Sequence, residues 1–201
     1  MSKTRKILLV IMACVVMLFA TACGKDNTPF THGSWSGNTF TSEFFGIKVQ
    51  IGSDWTAVSD ADLAKSAGIT NMSESNIRTV LDKGKPLYDM MAVKSNGSSM
   101  NITIQDSDKT VSLSEKEFFT AGIPIIKAQF EAMGYKVSAE KDTVNFLGKA
   151  TDCISLSLTL NNVTVHEILV PVFKSHYTAS INFGSLEKSE LYSLLAMVTA
   201  V

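Results

Sequence analysis

The chain has 201 residues, of which 45% are hydrophobic and 18% are charged. Its 18 Lys and Arg residues nearly balance 19 Asp and Glu residues, which gives a formal net charge of −1. This balance argues against the strongly basic surface of a nucleic-acid-binding protein and against an acidic tail, and the length suits a single domain.

The N-terminus has the order of features found in a secretory signal. Basic residues occur among the first six positions, residues 7–20 form an uncharged apolar run, and small residues precede Cys23. The apolar run is shorter than the ~20 residues that a membrane-spanning helix needs. We therefore expect a signal peptide over 1–22 that is cleaved between Ala22 and Cys23.

Residues 18–25 ("LFATACGK") resemble the lipobox of bacterial lipoproteins. The resemblance implies that Cys23 carries a diacylglyceryl thioether and an N-acyl chain, which hold the protein on the outer face of the cell membrane. Ala20 departs from the family, which usually has Leu three residues before the cysteine. Ala20 and Ala22 also fit an ordinary secretory cleavage site, which would release a soluble protein.

The other cysteines offer little scope for a disulfide. Cys14 leaves with the signal peptide and lipid would occupy Cys23, so Cys153 would have no intrachain partner. If Cys23 is not lipidated, a bridge between Cys23 and Cys153 is the alternative.

Residues 23–34 are polar, contain Pro29 and indicate a flexible lipid-anchored tether before one domain over 35–201. Alternating segments around Gly46 predict that this domain opens with a β-hairpin over 38–51.

Two short helices are predicted next. Ser59 begins a capping pattern for a helix that ends at Gly68, and Ser73 caps a second helix that stops at Gly84.

The centre of the chain predicts a second hairpin and the longest helix. Runs at 88–95 and 99–106 flank Asn96-Gly97, a pair that favours a two-residue type I′ turn. Residues 114–133 carry a capping box and an apolar stripe, and Pro124 predicts a kink or two abutting helices there.

The remaining chain alternates apolar and polar residues, which is typical of strands. We predict strands at about 135–141, 149–160, 163–171 and 176–183, with turns at Asn161-Asn162 and Lys174-Ser175. A last helix begins near Ser185. This order indicates an α+β fold, in which helices pack on an antiparallel sheet.

The motif order is similar to that of the Mog1/PsbP-like fold, particularly the small lipoproteins of this type from Gram-positive bacteria. The resemblance rests on the opening at 39–55 ("TFTSEFFGIKVQIGSDW"), the helix at 114–133, and the strand, "INFGS" and helix at 181–198. The chain lacks the proline that usually precedes the family's Gly-Trp pair. The resemblance implies an α/β/α sandwich and a non-catalytic role in binding or assembly.

Candidate metal ligands are few. His32 falls in the tether, and His166 and His176 fall on adjacent predicted strands whose register would turn them to opposite faces. Asp106 and Asp108 lack the further acidic ligands and the glycine of a calcium loop. We predict no metal site and no cofactor besides the lipid.

Catalytic motifs are incomplete. Ser138 with Lys141, like Ser185 with Lys188, has S-x-x-K spacing, but the companion S-D-N and K-T-G motifs are absent from the sequence. Cys153 would need a histidine as its base, and alternation places it on the strand face away from the leucines. We therefore predict no catalytic residue and no enzymatic activity.

Aromatic residues cluster around the first hairpin, namely Trp35, Phe40, Phe44, Phe45 and Trp55. They either attach the hairpin to the core, which we favour, or form an exposed patch, because aromatic residues are frequent in binding hot spots. The candidate partner contacts are Trp35, Phe44, Phe45 and Trp55, and Trp35 borders the tether.

These observations together indicate a lipid-anchored, extracytoplasmic module that binds an envelope or membrane protein. A small-ligand receptor accessory to a transporter is the alternative, and an envelope hydrolase would need a nucleophile–base pair that the sequence does not supply.

Overall fold

A computed structural model describes residues 28–109 and 115–201. The predicted signal peptide, its cleavage after Ala22 and the lipidated Cys23 lie outside the described residues. Within the described residues, no helix has both the length and the apolar character needed to cross a membrane.

The described chain forms four α-helices and eleven strands. The helices are α1 (Asp60–Ala67), α2 (Glu74–Leu81), α3 (Glu115–Ala132) and α4 (Glu190–Leu195), and one 3-10 turn covers Ser107–Lys109. The strands are β1 (Ser34–Ser36), β2 (Thr39–Ser42), β3 (Ile47–Gln50), β4 (Trp55–Ala57), β5 (Leu87–Lys94), β6 (Ser99–Asp106), β7 (Lys136–Phe146), β8 (Lys149–Leu160), β9 (Val163–Lys174), β10 (Tyr177–Ser185) and β11 (Val198–Ala200).

Seven strands form one antiparallel sheet in the order β4-β5-β6-β10-β9-β8-β7. Strands β7 to β10 form a meander, because two-residue turns at 147–148, 161–162 and 175–176 connect them. The predicted strands are confirmed, although β7, β9 and β10 extend beyond their predicted ends. The last turn lies one residue later than predicted.

A second, four-stranded antiparallel sheet has the order β1-β2-β3-β11. The hairpin predicted over 38–51 is its centre, and Val49 of β3 lies opposite Val198 of β11. The sequence analysis predicted a single sheet. It missed the second one because β11 has only three residues, too few to show the alternation typical of a strand. This pairing closes the fold, since it joins the two ends of the domain.

The two faces of the seven-stranded sheet have different partners. One face packs against the small sheet, α2 and α4 around a core that includes Phe40, Ile102 and Phe183. The other face carries α1 over β5 and α3 over β7 and β8. The fold class is therefore α+β with antiparallel sheets, as predicted.

Helix α3 is continuous from Glu115 to Ala132, although Pro124 lies inside it. Of the two predicted alternatives, a kink or two abutting helices, the second is wrong. Phe118 before the proline, and Ile126 and Phe130 after it, are all buried against the same sheet face. This packing on both sides of Pro124 stabilises one helix despite the lost backbone hydrogen bond.

The Asn96-Gly97 turn differs from the predicted type I′ turn. Only Gly97 has a positive φ, of 100°, and the Lys94 N–H donates to Ser98 O at 2.8 Å. Asn96 Oδ1 accepts the Ser98 N–H at 2.9 Å. The hairpin thus has a three-residue loop, because the Asn96 side chain satisfies the extra backbone donor.

Residues 30–33, which we call the N-terminal strap, pack on the domain rather than forming part of a flexible tether. Phe30 is 6% exposed and contacts the rings of Phe44, Phe45 and Tyr177. His32 Nδ1 lies 2.6 Å from Asp89 Oδ1. A single apolar residue shows no period, so the sequence could not distinguish this segment from a linker.

Candidate binding site

A cleft of about 520 Å³ lies between the β7–β8 turn, α4 and β11. Its lining residues come from two segments about 50 positions apart in the sequence: Asn145, Leu147, Gly148, Tyr192, Leu195, Ala196, Val198, Thr199 and Ala200. None of these side chains is charged. The volume lies within the ~300–1,000 Å³ typical of ligand pockets.

The first wall of the cleft is a backbone turn with a leucine in the left-handed region. Leu147 has a φ of 52° and Gly148 has a φ of 77°. Positive φ at both residues is what a type I′ turn requires, but a leucine there costs ~1–2 kcal/mol relative to its usual conformation. The turn thereby places a half-buried apolar side chain in the cleft wall.

Helix α4 supplies the second wall. Leu191, Leu194 and Leu195 are buried on its inner face, whereas Tyr192 is 58% exposed. The helical period explains this division, because residues three and four apart share one face. Tyr192 therefore lines the mouth of the cleft without contributing to the core.

A hydrogen-bond network holds the start of α4 against the β5–β6 hairpin. The Glu190 carboxylate accepts hydrogen bonds from Ser98 Oγ at 2.7 Å, Ser185 Oγ at 2.8 Å, Lys94 Nζ at 3.1 Å and Asn96 Nδ2 at 3.0 Å. Partial burial acts to raise the pKa of Glu190, but these donors outweigh it and lower the pKa to about 2. The ionised carboxylate thus fixes the helix that carries Tyr192.

Strand β11 is an edge of the small sheet and forms the third wall. The Gln50 N–H donates to Met197 O at 3.0 Å, and the Val201 N–H donates to Gly46 O at 3.0 Å. Because backbone groups alternate in direction along an antiparallel pair, those of Val198 and Ala200 point away from β3. Among the described residues, no strand pairs with this side of β11.

The aromatic residues proposed as partner contacts do not form an exposed patch. Phe44 and Phe45 are buried in the core, so the prediction of partner contacts there is wrong. Trp35 and Trp55 are half-buried and pack against the same core, and the Trp35 and Phe40 ring centroids are 5.4 Å apart. The core interpretation, which the sequence favoured, accounts for these side chains.

The histidines lie in three separate environments. His32 contacts Asp89 in the strap, and His166 Nδ1 lies 2.9 Å from Ser157 Oγ. His176, Asp106 and Asp108 place one possible ligand atom each within 4.8 Å of one another.

The sequence did not reveal this last group, because its members meet through the β6–β10 pairing. Asp106 already accepts the Asp108 N–H at 2.9 Å. This hydrogen bond stabilises the turn that follows β6.

Cys153 is buried on the strand face away from the leucines, as predicted. Burial, together with the carboxylates of Asp142 and Asp152, raises the pKa of its thiol to about 12. His166 lies opposite Ser157, four positions along β8 from Cys153, which corresponds to ~13 Å. The thiol is therefore protonated and does not meet this histidine.

A band of buried polar side chains crosses the sheet face between α1 and α3, comprising Ser99, Asn101, Thr103, Gln105, Glu167, Thr178 and Asn182. Asn182 Nδ2 donates to Asn101 Oδ1 at 2.8 Å. Burial alone raises the pKa of Glu167 to about 8. A one-residue slip of β10 would break the asparagine pair, so the band favours the observed register.

Comparison with known proteins finds similarity to solved structures. No protein-family model and no curated protein matches the sequence. The chain is similar to the solution structure of cyanobacterial PsbP (CyanoP) from Synechocystis sp. PCC 6803, with a TM-score of 0.46 and 12% sequence identity. The alignment covers 90% of this chain and 98% of that protein.

Proposed function

We propose that the protein is a lipid-anchored, extracytoplasmic binding module without catalytic activity, which docks a membrane or envelope protein in the cleft. The cleft is the observation that carries this proposal, since it combines uncharged walls with an exposed tyrosine. Aromatic residues are enriched, and charged residues depleted, at the centres of protein interfaces.

The N-terminal strap supports a position close to the membrane. Phe30 is fixed in the core seven residues after Cys23. An extended chain spans at most ~3.6 Å per residue, so a lipid on Cys23 would keep Phe30 within about 25 Å of the bilayer. This tether would raise the local concentration of the domain around membrane partners.

The state of Cys153 supports binding rather than catalysis. Its thiol is buried and protonated, and it lies about four strand positions from His166. Nucleophilic catalysis requires a base within hydrogen-bond reach of the nucleophile, and His166 lies beyond that reach.

Site-specific photo-crosslinking in intact cells tests the docking site. A benzophenone amino acid replaces Tyr192 in the cleft or, as the matched control, Asn162 in the exposed turn at the opposite end of β8. We expect one discrete membrane-protein adduct from position 192 and none from position 162. Equal adducts from both positions, or none from position 192, would contradict the proposal.

Cell fractionation tests the anchor. We expect the wild type in the membrane fraction, with an acylated N-terminal peptide by mass spectrometry, and Cys23→Ala in the soluble extracytoplasmic fraction. An unmodified Cys23 at the N-terminus of the wild type would instead support the ordinary secretory site.

A further inference from the structure

We propose that the partner segment binds in the cleft as an added β-strand, paired with the edge of β11 that no strand of the described residues occupies. This inference rests on the proposed function and specifies the chemistry of its ligand: a short, extended and uncharged peptide segment. Strand addition uses main-chain hydrogen bonds for affinity and alternate side chains for specificity.

The backbone of β11 provides the hydrogen-bonding half of such a site. Thr199 lies opposite Lys48 in the pairing with β3, between the bonded ends at Met197 and Val201. The alternation of an antiparallel ladder turns the N–H and C=O groups of Val198 and Ala200 to the other side. Both residues line the cleft, so one extended segment can pair with both.

The uncharged walls of the cleft favour an uncharged ligand. The long edge strand β7 carries Lys136, Glu140, Lys141 and Asp142, and charges on an edge protect it from pairing with another chain. None of the described residues that line the cleft beside β11 is charged. A charged peptide would lose hydration there without gaining a partner, so an uncharged segment is favoured.

The apolar side chains around β11 would determine which peptide sequences bind. Leu147 and Leu195 lie in the walls, and Tyr192 lies at the mouth. Side chains of a strand alternate between its two faces, so the segment would direct apolar residues at i and i+2 toward these walls. Leu147 has a positive φ of 52°, and strained backbone conformations of this kind cluster at functional sites.

A selection with phage-displayed random heptapeptides on the detergent-solubilised full chain tests the inference. Ala200→Pro removes the N–H that points into the cleft and leaves the bonds of Thr199 and Val201 to β3, a position where an edge strand tolerates proline. Ala200→Ser is the matched control, because it retains that N–H. We expect uncharged peptides that bind wild type and Ala200→Ser alike and bind Ala200→Pro about tenfold more weakly.

N-methylation of a selected peptide gives a second readout that does not depend on folding of the proline variant. We expect about a tenfold loss of affinity when alternate amides are methylated and little change at the intervening amides. Loss without alternation, equal binding to Ala200→Pro and wild type, or no enriched peptide would overturn strand addition.

The two proposals fail in different ways. A crosslink from position 192 that persists in Ala200→Pro would contradict strand addition and leave the docking site intact. No crosslink from position 192 in the wild type would contradict the proposed function itself.

Discussion

At the scale of single residues, Glu167 links burial to a measurable pH dependence. It is 3% exposed, and burial raises its pKa from 4.5 to about 8. The folded protein therefore holds a proton that the unfolded chain releases above pH 4.5. The contribution of the Glu167 carboxyl group to the free energy of unfolding decreases as the pH rises from 4.5 to 8 and is constant above pH 8.

The substitution Glu167→Gln tests this assignment, because glutamine keeps the size of the side chain and has no charge to bury. We expect urea unfolding to show a smaller decrease in stability between pH 5 and pH 8 than in the wild type. The exposed substitution Glu140→Gln is the control and should retain the wild-type slope. If the stability of Glu167→Gln decreased with pH as steeply as that of the wild type, the Glu167 carboxyl group would be ionised in the folded protein.

Leu147 allows stability to be separated from binding. Asparagine is favoured at this position of a type I′ turn, so Leu147→Asn should relieve ~1 kcal/mol of backbone strain. It also removes a half-buried apolar side chain, which costs about the same. We expect the free energy of unfolding to change by less than about 1 kcal/mol, while the crosslink from position 192 weakens. A crosslink of wild-type yield would show that the leucine serves the fold alone.

At the scale of elements, the position of α4 depends on Glu190. Removing the charge weakens hydrogen bonds from four donors, and bonds to charged groups contribute ~1.5–3 kcal/mol. We expect Glu190→Gln to lower the free energy of unfolding by about 2 kcal/mol at pH 7. The exposed substitution Glu187→Gln, in the loop before α4, should have little effect.

The pH dependence of the Glu190 effect has a defined sign. The folded pKa of about 2 lies below the ordinary value of 4.5, so the stabilisation is present above pH 4.5 and is lost as the pH falls toward 2. The difference in the free energy of unfolding between wild type and Glu190→Gln should therefore be smaller at pH 3 than at pH 7. A difference that is constant with pH would indicate loss of packing rather than of charge.

The N-terminal strap is a second element whose attachment depends on pH. Burial acts to lower the pKa of His32, but the hydrogen bond to Asp89 and the charges of Asp89 and Asp60 raise it overall. This stabilisation is present below pH 6.5 and is lost as the pH rises through the raised pKa. We expect amide exchange in the strap, corrected for intrinsic rates, to be faster at pH 8.5 than at pH 6.

The histidine accounts for this effect if the pH difference disappears in His32→Gln. Phe30→Ala is the matched variant for packing, because it removes the aromatic contacts of the strap and keeps the ion pair. It should increase exchange at both pH values. A pH difference that survives in His32→Gln would assign the effect to another group.

At the scale of the whole molecule, the sequence correctly predicted those turns and helix caps that depend on a few neighbouring residues. The asparagines at 161 and 162 have φ values of 51° and 62°, as a two-residue turn requires. Ser59 and Gly68 cap α1 as predicted, with Ser59 Oγ accepting the Asp62 N–H at 3.2 Å. These features depend on the chemistry of a few neighbouring residues, which is why they were found.

The cleft was not predicted, because its walls come from different parts of the chain. Residues 145–148 meet residues 192–200 only after the meander and the β3–β11 pairing have formed. Leucine at 147 is not a turn-forming residue, and β11 is too short to show a period. The uncharged composition of 191–201 was the one available signal, and it is equally typical of a helix that packs on a sheet.

The yield of the crosslink from position 192, measured in intact cells for wild-type Cys23 and for Cys23→Ala, tests the central claim most directly. A docking module held at the membrane should give one discrete adduct whose yield falls severalfold without the anchor. No adduct with either form, or an identical yield from both, would contradict the account that the anchor and the cleft act together.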